Sequence, residues 1–204
     1  MEIIWITGDT HGDWIHRLNM DSFPEQREMT KDDYVIVLGD FGIWRDSPQQ
    51  RWYLNWLEEK HFTTLFIDGN HENYDILDSY PVEEWHGGKV HFIKPSIIHL
   101  MRGQVFEIDD LKFFTFGGAA SHDISDGVLE IDDPRVKEWR DDPDKMYRIN
   151  HISWWEREMP NQEEMDEGIK NLAEHDNKVD FILTHCTASS TAALYHMDCI
   201  NRIS

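Results

Sequence analysis

The sequence predicts an α/β fold in which short, buried strands alternate with helices. Four apolar runs of about five residues are each followed at once by polar residues; they are "IIWIT", "YVIVL", "TLFID" and "FILT". Uninterrupted runs of this length are typical of strands covered on both faces, as in parallel or mixed sheets. The 204 residues suffice for one substantial core and are few for two. We therefore expect residues 1–204 to form a single domain.

Two longer helices are predicted between these strands. The segment "PQQRWYLNWLEEKH" opens with Pro48, which suits a first helical turn, and the segment "NQEEMDEGIKNLAEH" opens with acidic residues, which suit the positive end of a helix dipole. Both segments repeat apolar residues at helical spacing. The predicted apolar faces are Trp52, Trp56 and Leu57 in the first helix, and Met165, Ile169, Leu172 and Ala173 in the second.

A different pattern fills residues 89–117. Four short apolar segments, "KVHFI", "SIIHLM", "QVFEID" and "LKFFTF", follow one another with only Gly, Asp-Asp or similar breaks between them. Such spacing leaves no room for crossover helices and predicts an antiparallel meander. The sheets are therefore expected to be mixed.

Charge and composition limit the kinds of partner and the cellular compartment that we expect for the chain. The chain has 19 basic and 40 acidic residues, a formal net charge of -21, which repels polyanions and disfavours nucleic acid as a partner. No run of eighteen apolar residues predicts a membrane span, and the N-terminus lacks the pattern of a secretory signal. Cys186 and Cys199 are too few for a disulfide framework, so two reduced thiols in a cytoplasmic protein are expected.

The polar residues after the strands are the candidate site. In open α/β sheets, functional groups gather at the carboxyl ends of adjacent strands. Oxygen and nitrogen ligands of this kind suit Mn, Fe or Zn better than a thiolate-selected metal. The residues at these ends are Asp9, His11, Asp40, Asn70, His71 and His185.

Each of these short motifs has an ordinary structural explanation when taken alone. Gly-Asp is common in turns, and Asp is a frequent helix N-cap. The ordered occurrence of four such motifs favours a shared metal site instead. His11 would emerge on the same side as Asp9 if the backbone stayed extended, and a carboxylate such as Asp40 has enough lone pairs to bridge two ions.

The motifs "GDTH", "GD", "GNHE" and a late "TH", with "GGAASHD" and "SWWERE", resemble the calcineurin-like metallophosphoesterase superfamily, in particular its bacterial and phage members. The resemblance implies a four-layer αββα sandwich with two mixed β-sheets and a dinuclear metal centre. It also implies roles for individual residues: Asp9 and His11 on the first metal, Asn70 and His185 on the second, Asp40 bridging both, and His71 as the outer-sphere acid.

The activity implied is hydrolysis of a phosphomonoester or phosphodiester by a hydroxide shared between two divalent ions, with manganese expected and iron or zinc as alternatives. The expected substrate is a small phosphate ester or nucleotide. His71, with its neighbour Glu72, would supply the proton for the leaving group. Arg45 could contact the substrate phosphate through its bidentate fork, although an arginine in such a loop is more often simply solvated.

The sequence departs from the superfamily pattern in two places. It has no G-H-x-H block, and His196 is the sole histidine after His185. We expect a truncated or frame-shifted relative whose second sheet leaves an apolar edge open, so that the protein forms homo-oligomers or is poorly soluble. The alternative is that His196, water or a neighbouring chain takes the place of the missing ligands. The alternative function is a catalytically impaired or binding-only relative with an incomplete dinuclear centre. The stretch "GDFGIWRD" also lacks the Asp-Arg-Gly run of Ser/Thr protein phosphatases, which disfavours that activity.

Overall fold

The structure is a computed structural model that describes residues 2–187 and Thr191. The strands within this range are β1 Ile4–Thr7, β2 Tyr34–Leu38, β3 Thr63–Ile67, β4 Val82–Trp85, β5 Gly88–Lys94, β6 Ile97–Leu100, β7 Gln104–Ile108, β8 Leu111–Phe116, β9 Gly127–Leu129, β10 Tyr147–Ile149 and β11 Phe181–Thr184. The helices are α1 Trp14–Arg17, α2 Pro48–Glu58, α3 Tyr74–Leu77, α4 Pro134–Trp139 and α5 Gln162–Glu174. None of these helices is long and apolar enough to cross a membrane.

The two longest helices begin at side-chain caps. Ser47 precedes α2 and accepts a hydrogen bond from the backbone N–H of Gln50, with Pro48 at the first helical position. Asn161 and Glu164 form a capping box at the start of α5, each side chain accepting a hydrogen bond from the other's backbone N–H. These caps satisfy N–H groups that a helix start otherwise leaves without partners.

The strands form mixed sheets, as predicted. The large sheet has the order β1-β2-β3-β6-β5-β4, in which neighbours from β1 to β6 pair in parallel and β5 is antiparallel to both β6 and β4. A second sheet has the order β11-β8-β7, and β9 and β10 form a separate parallel pair.

Strand β2 shows why the sheets stack in layers. Val35 and Val37 face a core shared with α1 and α2, whereas Tyr34 and Ile36 face a second core that includes Phe106 and side chains of the three-stranded sheet. Complete burial of a side chain such as Ile36 contributes roughly 1.5–3 kcal/mol. On the far side, α5 packs on the three-stranded sheet. The four-layer αββα sandwich is therefore confirmed.

The predicted meander is divided between the two sheets. Strands β5 and β6 pair in the large sheet and β7 and β8 pair in the second, so the chain crosses between sheets at residues 101–103. Gly103 occupies this crossing with a φ of +72°, and a Cβ there would lie 2.8 Å from the carbonyl oxygen of Glu164. Only glycine fits, because the crossing chain touches the backbone of α5.

The predicted helix faces were wrong in part. Trp52 is 56% exposed, and the residues that α2 buries are Leu54 and Leu57. In α5, Ile169 is 67% exposed, because the helix approaches the sheet through Gly168. Because the backbone of Gly168 makes the contact with the sheet, the apolar side chain of Ile169 next to it stays exposed to solvent.

The expectation that all four strands are covered on both faces holds for β2 and β3 and is wrong for the other two. β1 and β11 lie at the ends of their sheets as described, and Trp5, Ile6 and Phe181 are exposed, as is Ile182 at 66%. Apolar side chains thus line this edge, and its pairing with a second copy stays a prediction. His196 and Cys199 lie outside the described residues.

Candidate metal centre

The ends of four strands bring the candidate ligands together. Asp9 and His11 follow β1, Asp40 follows β2, Asn70 follows β3, and His185 follows β11 of the second sheet. Asp9, His11 and Asp40 have φ angles of 48°, 46° and 48°. Non-glycine residues seldom adopt this left-handed conformation, and where they do the strain tends to coincide with functional sites.

His11 reaches the site through a backbone conformation different from the one predicted. The sequence-based argument assumed an extended backbone between Asp9 and His11, which the two positive φ angles contradict. His11 is instead held by a hydrogen bond from its backbone N–H to the carbonyl of Asp40, at 2.7 Å. The loop after β1 is therefore tied directly to the loop after β2.

Two of the three glycines before the ligands are required by space. A Cβ at Gly39, where φ is +84°, would lie 2.2 Å from Nδ1 of His185, and a Cβ at Gly69 would lie 2.1 Å from Oδ1 of Asp40. Both distances are far below van der Waals contact. Gly8, by contrast, has nothing closer than 4.0 Å, so space requires glycine at Gly39 and Gly69 but not at Gly8.

Asp40 lies at the centre of the cluster. Its buried carboxylate has Oδ2 3.5 Å from Nε2 of His11 and Oδ1 3.5 Å from Nε2 of His185. Asp9 Oδ1 lies 3.5 Å from Nδ1 of His185. Asp9, Asp40 and His185 each offer one ligand atom within 4.8 Å of the others. The two oxygens of Asp40 thus face two different histidines.

The hydrogen bonds of His185 indicate whether a cation can bind between its ring and the neighbouring oxygens. Its Nδ1 lies 2.8 Å from the carbonyl oxygen of Leu38, which can only accept, so Nδ1 carries the proton and donates. The other nitrogen, Nε2, then presents a lone pair to Oδ1 of Asn70 at 3.3 Å and to Oδ1 of Asp40. The amide of Asn70 is oriented by its Nδ2, which donates to Oγ of Ser121 at 3.3 Å.

Three lone pairs therefore converge without a proton among them when His185 is neutral. Ligand atoms of one divalent ion lie ~2.0–2.2 Å from it and so about 3 Å from one another. The observed separations of 3.3 and 3.5 Å match such a site closely. The donor set fits a divalent metal ion.

A pair of residues behind Asn70 was missed by the sequence-based reasoning. Glu158 is buried and accepts hydrogen bonds from both the backbone N–H and the hydroxyl of Ser121, each at 2.7 Å. Burial raises the pKa of Glu158, although the Ser121 donors oppose the shift. The signal was present, because Ser121 lies in "GGAASHD" and Glu158 ends "SWWERE".

Behind the same strand end, Asp68 forms a buried ion pair. Arg102 donates to it from Nε at 2.7 Å, and His99 and the hydroxyl of Tyr74 lie 3.2 and 3.0 Å from its two oxygens. Burial alone would raise the pKa of Asp68, but Arg102 and His99 outweigh burial and hold that pKa well below its usual range. The carboxylate stays charged beside the Gly69 turn.

Glu72 has a different role from the one expected. It is completely buried and accepts hydrogen bonds from the backbone N–H groups of Phe41, at 2.6 Å, and Gly42, at 3.3 Å. Burial raises its pKa to about 8 against the effect of these two donors. Glu72 therefore fixes the loop after Asp40 and has no exposed oxygen with which to assist His71.

His71 lies at the edge of the cluster. Its backbone N–H donates to Oδ1 of Asp40 at 2.9 Å, and its ring centroid lies 5.4 Å from that of His11. Burial lowers the pKa of His71, partly opposed by Asp40, so the imidazole is neutral at neutral pH and retains one N–H. With Arg45 it lines a cavity of about 280 Å³. The acid role of His71 and the substrate role of Arg45 stay predictions.

Comparison with known proteins agrees with this geometry at the level of the family. No curated protein and no solved structure matches the chain significantly. Residues 3–197 match the family model described as calcineurin-like phosphoesterase. Because that match spans nearly the whole chain and includes every candidate ligand, the chain belongs to the calcineurin-like phosphoesterase family.

Proposed function

We propose that the protein is a metal-dependent phosphoesterase that hydrolyses small phosphomonoesters or phosphodiesters, nucleotides among them. The observation that carries the proposal is the convergence of Asn70, Asp40 and His185 lone pairs on one point. A divalent cation would satisfy these lone pairs, and the family to which the chain belongs hydrolyses phosphate esters.

We assign the residues to two ligand groups about Asp40, as the family resemblance implies. Asp9 and His11 would hold the first ion with Oδ2 of Asp40, and Asn70 and His185 would hold the second with its Oδ1. The oxygen and nitrogen donors suit manganese, with iron or zinc as alternatives. Two bound ions would lower the pKa of a coordinated water and neutralise charge on the phosphate.

The remaining residues act on the substrate. His71 in its protonated form, the minor one at neutral pH, would give a proton to the leaving oxygen and return to the neutral imidazole, because an alkoxide leaves poorly without a proton. The backbone bond from His71 to Asp40 fixes this ring beside the ligands. Arg45 would bind an anionic group of the substrate with its guanidinium group.

Metal analysis combined with hydrolysis of two chromogenic esters tests the proposal. We expect protein loaded with Mn²⁺ to bind two ions and to hydrolyse p-nitrophenyl phosphate or bis(p-nitrophenyl) phosphate, and the comparison separates monoesterase from diesterase activity. Asp40→Asn should abolish turnover and lower the metal content. Asp33→Asn is the matched control, since Asp33 is also buried but bonds to Ile3 and Thr30 far from the ligands.

A binding-only protein is the second candidate. It is favoured by the close cluster in the described residues, which contains Asp9, Asp40 and His185 but leaves His11 outside. A protein that binds one ion and turns over neither ester would support this second candidate and overturn the first.

A further inference from the structure

A cavity beside His71, the candidate general acid, carries positively charged side chains in a chain that is acidic as a whole. It measures about 280 Å³, and its lining in the described part of the chain includes two arginines, Arg45 and Arg148, and no carboxylate. The whole chain carries 19 basic against 40 acidic residues. A lining in which both of the arginines and none of the carboxylates supply the charge is therefore unexpected and indicates an anionic ligand.

The walls of this cavity are held by specific hydrogen bonds. The indole N–H of Trp44 donates to the carbonyl of His71 at 2.9 Å, and the side chain of Asn73 donates to the carbonyl of Trp44 at 3.0 Å. On the other side, the indole N–H of Trp155 donates to Asp75 at 2.8 Å. The two walls are thus fixed to α3 and the residue before it, and the cavity is built into the fold.

The two arginines are in different states. Arg148, on β10, forms an ion pair with Asp123, and its side chain is 25% exposed. Arg45 is exposed and has no ion-pair partner within residues 2–187. One of the two guanidinium groups is therefore paired and the other is not, which leaves positive charge at the cavity for a ligand.

The cavity also offers apolar surface. The side chains of Trp44 and Ile152 are exposed and line it, and Trp155 closes its base. Its volume lies at the small end of the range for small-molecule sites, so a protein loop or a polymer is a poor fit. A planar or apolar group of modest size fits beside Trp44.

We propose that this cavity binds the alcohol portion of the substrate, and that Arg148, with Arg45, recognises a second anionic group on it. This inference rests on the proposed function, in which His71 gives a proton to the leaving oxygen. His71 lines the cavity, so the leaving group departs into it. The reacting phosphate is already neutralised by the ions held at Asp40, so two further guanidinium groups correspond to another charge on the substrate.

Phenyl phosphate and 4-carboxyphenyl phosphate provide a matched test, because they differ only in one carboxylate on the leaving group. We expect the ratio of kcat/KM, carboxyphenyl over phenyl, to fall about tenfold or more in Arg148→Met, the effect of losing a charge-assisted hydrogen bond. Arg45→Met should lower the ratio in the same direction, and Arg148→Lys should restore part of it. Arg140→Met, at an exposed position on the end of α4, is the control and should leave the ratio unchanged.

Binding of benzylphosphonate and 4-carboxybenzylphosphonate to Mn²⁺-loaded protein, measured by calorimetry, separates this inference from the activity. If neither ester is hydrolysed but the carboxylated phosphonate binds about tenfold tighter in wild type and not in Arg148→Met, the proposed function fails and the cavity assignment stands. If the esters are hydrolysed with equal ratios in wild type, Arg148→Met and Arg45→Met, the cavity assignment is overturned and the function stands.

Discussion

A buried pair of histidines on adjacent strands of the large sheet predicts how the free energy of unfolding changes at acid pH. His91 and His99 face each other on β5 and β6, with their Nδ1 atoms 3.1 Å apart, and both are buried. His99 donates from Nε2 to Asp68 at 3.2 Å, so its Nδ1 accepts a hydrogen bond from Nδ1–H of His91. Protonation of His91 would place a positive charge in this buried space.

The size of the effect follows from the pKa of His91. Burial lowers it from 6.5 to about 4, with His99 adding to the shift. The other charged groups near it partly cancel; they are Asp78 and Asp68, which raise the pKa, and Arg157, which lowers it. Between pH 6.5 and 4 the unfolded chain binds more protons at this site than the folded chain. The contribution of His91 to the free energy of unfolding is therefore fully present above pH 6.5 and declines as the pH falls, by about 3 kcal/mol at pH 4.

Replacing His91 by Gln removes the titrating group and keeps an N–H that can donate to His99. Urea unfolding at pH 7, 5 and 4, in the presence of EDTA so that metal release does not contribute, gives the free energy of unfolding of each variant. Wild type should lose about 2 kcal/mol more than His91→Gln between pH 7 and 5, and about 3 kcal/mol more by pH 4. His61→Gln, at an exposed position, should lose as much as wild type. Equal losses in wild type and His91→Gln would refute this reasoning.

Three further predictions concern the scaffold and the ligands. Arg102→Met should lower the free energy of unfolding in urea by about 3–5 kcal/mol, because Asp68 would keep a buried charge without its cation, and a loss no larger than that of exposed Arg140→Met would contradict this. Gly39→Ala should weaken Mn²⁺ binding in calorimetry at least about tenfold while Gly8→Ala does not, because only the first Cβ meets the His185 ring; equal affinities would oppose this reading. Mn²⁺ at a hundred times its Kd should raise the free energy of unfolding by about 2.7 kcal/mol in wild type and much less in Asp40→Asn, and an equal rise in both would remove Asp40 from the ligand set.

The strand ends were predictable because their signal is local. Each apolar run ends at Gly-Asp, Gly-Asn or a histidine, and strands β2 and β3 formed where the runs predicted. Parallel neighbours in a sheet place such ends side by side, so the proximity of Asp40 and Asn70 followed from topology alone. The pattern also marked His185 as a strand-end residue, but its proximity to Asp40 did not follow from pairing within one sheet, because its strand belongs to the second sheet.

The features that sequence reasoning missed depend on tertiary position. An apolar run does not show whether its strand lies in the middle of a sheet or at an end, and so the exposure of Ile6 and Ile182 was not foreseen. The contact face of α5 was missed because backbone at Gly103 and Gly168 makes the contact, which apolar periodicity does not record. Arg148 lies in a three-residue strand far along the chain from the other cavity residues, with no motif to mark it.

The orientation of Asn70 links the candidate metal site to the packing of the whole molecule. Its amide is held by Ser121, which is in turn held by Glu158, and the backbone before Asn70 is held by Tyr74, which donates to the carbonyl of Gly69 at 2.6 Å. Arg102 connects both supports, because its guanidinium bonds to the Tyr74 hydroxyl at 2.7 Å and to the carbonyl of Glu158 at 3.2 Å.

Arg102 lies where the chain crosses between the two sheets, so a change in how the sheets pack would reach Asn70 through two separate paths. A ligand oxygen that must lie within a few tenths of an ångström of its place needs such support from rigid elements. This need explains why a buried ion pair, which adds little net stability of its own, stands directly behind the ligands.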